Sequence, residues 1–118
     1  MEWSFRSDLP IYSQLVETFK QRIVSGALSP GERLASVRDL AMEAGVNPNT
    51  MQRALQELER EGLVFSQRTA GRFVTEDIPV IEAAKKALAR SQIESFLSVM
   101  KKLGYDRQGI IVLLKEDT

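Results

Sequence analysis

The sequence predicts a mainly α-helical chain with one small β-hairpin: three helices closed by the hairpin, then a pair of helices of different character. Three observations carry this. Apolar residues recur at helical spacing in three separate stretches before residue 62, two short runs of β-formers follow, and two further amphipathic stretches come after Pro79.

The first helix spans residues 10–25, where Ile11, Leu15, Phe19 and Ile23 fall every fourth residue and Tyr12 and Val16 widen the stripe, and Gly26 ends it. Leu28 to Glu32 is a turn, with Pro30-Gly31 suited to the centre of a type II turn. A short second helix starts at Ser36, whose hydroxyl can cap the amide of Asp39, and it buries Val37, Leu40 and Ala41. Ala44-Gly45 breaks it and Val46 plugs the core. Asn47-Pro48-Asn49-Thr50 then reads as an N-cap, a proline at the first helical position and a polar first turn. The third helix buries Met51, Ala54, Leu55 and Leu58 and stops at Gly62. Residues 63–67 and 72–75 form the hairpin around the turn at 68–71. Glu76 to Pro79 marks a boundary, so the head is 1–77 and the tail 78–118.

In the tail, residues 80–103 form a long amphipathic helix carrying Ile81, Ala84, Leu88, Phe96, Val99, Met100 and Leu103. Gly104 caps it and Asp106 caps a last helix. That helix contains the unbroken apolar run Ile110 to Leu114, which covers more of a turn than one face of a small domain buries. A second copy of the chain is the simplest cover, with Leu88, Phe96, Met100, Ile110, Ile111 and Leu114 as the expected contacts of a homodimer. Trp3 and Phe5 alternate with polar residues as an arm packing on the core.

Composition narrows function by exclusion. The 118 residues suit one domain with an appendage, and 43% hydrophobic with 27% charged residues is ordinary globular usage. Cysteine and histidine are both absent, which removes disulfides, the usual transition-metal ligands and the commonest general base. No catalytic residues, metal or cofactor are therefore expected, and the scattered pair Asp77 and Glu82 is a poor cation site. No apolar run approaches the ~20 residues that cross a bilayer, and the N-terminus does not read as a secretory signal, so the expected compartment is the cytoplasm with no membrane partner. Formal net charge is zero; affinity for an acidic polymer would have to come from where the charges sit.

Three helices and a hairpin in this order form a winged helix-turn-helix, in which the second helix of the pair enters the DNA major groove by its N-terminal residues. Asn49, Thr50, Gln52 and Arg53 occupy that position. Asn or Gln can pair with adenine, Arg with guanine, and Thr with phosphate or a thymine methyl. Asn47 suits a structural cap, a base contact, or both. Arg38 on the preceding helix suits a phosphate or base edge, or a pair with Glu43. Arg68 and Arg72 on the hairpin suit phosphate or the minor groove, with Gly71 permitting close backbone approach. Acids at Glu57, Glu59 and Glu61 lie at the far end of the third helix. The partners read from this pattern are a double-stranded DNA operator and a second protomer; a small-molecule effector is left open. A protein-binding winged helix is the alternative.

The runs Pro10-Ile11-Tyr12, Pro30-Gly31, Leu34-Ala35-Ser36-Val37-Arg38, Val46-Asn47-Pro48-Asn49-Thr50-Met51, Arg53-Ala54 and Phe73-Val74 resemble the GntR family of bacterial regulators over about residues 3–77. The short tail resembles the YtrA-type subfamily, whose two C-terminal helices dimerise and whose members often lie beside genes for ABC transporters. The resemblance implies DNA contacts from Arg38, Asn47, Asn49, Thr50, Arg53 and the wing at Gly71, and a homodimeric repressor on a palindromic operator. Two departures stand out: Leu34-Ala35-Ser36 replaces the usual Leu-Pro-Ser, and the wing reads Ala70-Gly71-Arg72-Phe73, with arginine in the place usually held by threonine.

Overall fold

Four-residue spacing makes one stripe of Leu15, Phe19 and Ile23, and the computed structural model, which describes residues 2–117, folds it as helix α1 (Ile11–Val24) with those three side chains buried. The chain then turns at Pro30-Gly31. Gly31 has φ +81°, and Glu32 N–H donates to Ser29 O at 3.0 Å, as a type II turn requires. Helix α2 (Val37–Ala44) is capped by Ser36 Oγ, which accepts from Asp39 N at 3.1 Å, and it ends at the left-handed Gly45. Helix α3 (Pro48–Arg60) starts at Asn47, whose Oδ1 accepts from Asn49 N at 2.7 Å, and it buries Met51, Ala54, Leu55 and Leu58.

Strands β1 (Val64–Gln67) and β2 (Gly71–Val74) pair antiparallel with Val64 opposite Val74 and Ser66 opposite Arg72. One element was not legible beforehand. Residues 31–34 run along the free edge of β2, with Leu34 N donating to Arg72 O at 2.9 Å and Val74 N to Glu32 O at 2.8 Å, and Arg33 bridged to Phe73. Glu-Arg-Leu has neither the length nor the alternation of a strand, so only the partner edge makes it one.

The core of this part gathers α1, α2, α3, the hairpin and Leu28 and Leu34 around Phe19, Leu55 and Leu58, all fully buried. Trp3 closes it edge-on against Phe19, with centroids 5.5 Å apart, and the Arg22 guanidinium lies over the Trp3 ring at 4.4 Å. Helix α4 (Ile78–Lys102) begins at Asp77, whose Oδ1 accepts from Val80 N at 3.4 Å. Its first turns belong to the same core: Ile81 is buried in it, and Val80 and Ala84 pack against it. By contacts the chain divides after Lys85.

The second unit, from Lys86, comprises the rest of α4 and helix α5 (Arg107–Asp117). Gly104 ends α4 at φ +94°, and Asp106 Oδ1 caps α5 by accepting from Gly109 N at 2.8 Å. Most of its apolar side chains are exposed, Ile93, Phe96, Val99 and Leu114 among them.

Candidate nucleic-acid interface

The turn between α2 and α3 is built by Gly45 and Val46. Gly45 takes φ +70°, and Val46 N then donates to Ala41 O at 3.0 Å while its side chain packs on the core. This fixes the point at which α3 begins, and with it the first turn that faces outward. Asn49 is exposed, Thr50 and Gln52 are half-buried, and Arg53 is exposed. The dipole of this helix start favours a phosphate. Asn47 acts as the cap, since its side-chain oxygen is engaged by Asn49 N.

Charges along α3 are sorted by pairing. The Arg53 guanidinium lies 4.6 Å from the centre of the Tyr12 ring, and the Tyr12 hydroxyl donates to Glu57 Oε1 at 3.3 Å. Glu57 is also paired with Arg60, and Glu61 with Lys20 at 2.6 Å. Glu59 is paired with Arg72, again at 2.6 Å. Each acid of the far end thus has its own cation, so the negative field reaching the N-terminal half of the helix is muted. Arg38 stands exposed on α2, and among the described residues it forms no ion pair with Glu43 or any other acid.

The wing departs from expectation at Arg72. Expected at phosphate or in the minor groove, it is turned inward with its side chain 18% exposed. Its Nε donates to Glu59 Oε1, which also accepts from Ser66 Oγ at 2.6 Å, and its Nη1 donates to Gln52 Oε1 at 3.2 Å. The reason is register: Ser66 and Arg72 are cross-strand partners, and both meet the carboxylate that α3 offers at Glu59. Burial pushes the Glu59 carboxyl up, but the hydrogen bonds from Ser66 and Arg72 and the Arg72 charge outweigh it and hold it below its ordinary value. Arg68 remains exposed in the turn.

Gly71 has φ +107°, and a Cβ there would stand 3.2 Å from Nε of Arg33. Arg33, to which the sequence reading gave no role, is therefore an exposed cation beside the wing. Its proximity follows from the pairing of residues 31–34 with β2, for which the local sequence carries no signal.

In the second unit, Phe96, Ile111 and Leu114 are exposed, and Leu88 and Met100 are half-buried. Ile110, expected with them, is instead buried at 6% exposure within its own chain.

Residues 11–74 match the family of bacterial regulatory proteins called gntR. The chain belongs to the GntR family. Its class is that of the DNA-binding helix-turn-helix transcriptional regulators, and among the described residues no group of three or more acidic side chains is placed to hold a metal. Among GntR relatives, the helix-turn-helix-type regulator YhcF of Bacillus subtilis is 37% identical over 118 residues, covering 100% of this chain and 98% of that protein. The transcriptional repressor YtrA of the same organism is 36% identical over 101 residues, covering 86% of this chain and 73% of YtrA. A solved GntR-family regulator from Listeria monocytogenes superposes with a TM-score of 0.87 at 39% identity, over 95% of this chain and 98% of that one. The GntR winged helix and the two-helix tail expected from the sequence are therefore both present in known structures. No helix among the described residues is long and apolar enough to cross a membrane.

Proposed function

We propose that this GntR-family chain is a sequence-specific repressor that binds a palindromic operator as a homodimer and blocks transcription by occupying the promoter. The observation that carries the reading is the first turn of α3. It brings Asn49, Thr50, Gln52 and Arg53 to one outward-facing helix start, while every acid on the same helix is neutralised by a partner. Arg38 supplies a cation from the preceding helix, and Arg33 and Arg68 supply cations from the wing, as phosphate contacts require.

Homodimerisation is supported by the second unit, where Ile93, Phe96, Leu97, Ile111 and Leu114 stay between 36% and 54% exposed on one short pair of helices. A two-fold pairing through that face would place two recognition helices on half-sites one helical turn, about 34 Å, or a multiple of it apart. The repressor B. subtilis YtrA, similar over most of this chain, supports the sign of regulation.

An anisotropy titration against the DNA upstream of its own gene and a scrambled duplex, at two salt concentrations, tests the reading. Promoter-selective binding that weakens steeply with salt is expected. Equal, weak binding to both duplexes would overturn it in favour of a protein-binding module.

A further inference from the structure

We propose that Arg72 determines specificity: by holding the Gln52 amide oxygen towards the wing it leaves the N–H donors of Gln52 to meet a base, so that Gln52 reads guanine rather than adenine. The inference rests on the DNA-binding reading above and adds to it a base identity and the residue that sets it.

A guanidinium has five donors and no acceptor, so a contact with a glutamine amide fixes which end of the amide it meets. The Nη1 contact at 3.2 Å therefore turns Gln52 Oε1 towards the wing, and the flat amide group carries Nε2 on its other branch. Among the described residues, Gln52 Nε2 has no protein hydrogen-bond partner. A glutamine free at both ends pairs with adenine by donating to N7 and accepting from N6–H, and this needs the oxygen in the groove. Guanine shows two acceptors there, N7 and O6, and the N–H donors alone satisfy them.

The clamp is well held. Arg72 is anchored by its Nε to Glu59, and Glu59 is itself held by Ser66, so the guanidinium is fixed between β2 and α3 before any DNA arrives. Its side chain is mostly buried, which leaves it few other positions. A threonine at this place in the wing would be too short to reach Gln52.

The test is a base-preference profile, read by sequencing the duplexes that the full-length protein retains from a randomised library, for the wild type, Gln52→Ala and Arg72→Thr. Gln52→Ala locates the base pair by abolishing its preference. The proposal expects guanine there in the wild type, favoured by roughly tenfold, and a move to adenine in Arg72→Thr with the other positions unchanged. A brace with only a structural role would weaken all sequences alike and leave the preferences in place, and that result overturns the proposal. Any base other than guanine at that pair in the wild type also overturns it, as does a Gln52→Ala profile identical to wild type. These two comparisons hold even if Arg72→Thr fails to fold. A wild type without any sequence preference would instead overturn the DNA-binding reading itself.

Discussion

Arg53 is exposed at the start of α3 yet restrained, because its guanidinium rests on the Tyr12 ring, which is itself tied to Glu57. A restrained cation loses less freedom on meeting a base or phosphate than a solvated one. Arg53→Ala should cost about 1–3 kcal/mol in operator affinity, with specificity relaxed at one base pair if it reads a base and uniform weakening if it touches phosphate. No change in an anisotropy titration would remove it from the interface. Asn47 is a different case, since its side chain is used by the fold. Asn47→Ala should lower stability by about 1 kcal/mol, visible as a lower urea midpoint with an unchanged slope.

Glu59 gives the residue scale its pH dependence. Its carboxyl is held below the ordinary value in the folded protein, so the unfolded chain takes up that proton first as pH falls. The stabilisation is fully present above the unfolded glutamate pKa of about 4.3 and is lost as pH drops through the lower folded value. Thermal melts from pH 7 down to pH 3 should show wild type and Glu59→Gln converging at the acid end. A constant gap between them would contradict the assignment.

Among elements, those with local signals were legible and those made by tertiary pairing were not. Ser36 and Asn47 announced α2 and α3 as caps, and the structure uses both oxygens for that purpose. The edge at residues 31–34 carried no such signal, because apart from the turn bond from Glu32 to Ser29 its backbone hydrogen bonds go to β2. For the same reason Arg33 was missed and the pairing of Arg72 with Glu59 was not foreseen: Glu59 lies 13 residues before Arg72 and nothing local links them. The head boundary read at residue 77 and the division of contacts after Lys85 differ because Val80, Ile81 and Ala84 spend the start of α4 on the head core.

The wing itself depends on one backbone conformation. Gly71→Ala forces a side chain into φ +107° and against Arg33, and should destabilise the protein by about 1 kcal/mol or more. Circular dichroism melts check this, and an unchanged midpoint would show that the wing turn relaxes freely.

At the scale of the whole molecule, the head presents the proposed DNA-reading surface and the second unit an exposed apolar one. Leu114, 51% exposed on α5, is the clearest probe of the latter. Leu114→Asp would place an unpaired charge in the proposed dimer interface, and sedimentation velocity should find the wild type a dimer and the variant a monomer at the same concentration. If both sediment alike, the apolar face serves something other than self-association.

In the proposed dimer, two copies of α3 read one operator together. Hydroxyl-radical footprinting of the full-length protein on the upstream DNA tests it most directly. Two protected segments of inverted sequence, one helical turn or a multiple of about 34 Å apart, are the predicted result. A single protected segment without symmetry, or none at saturating protein, would contradict it.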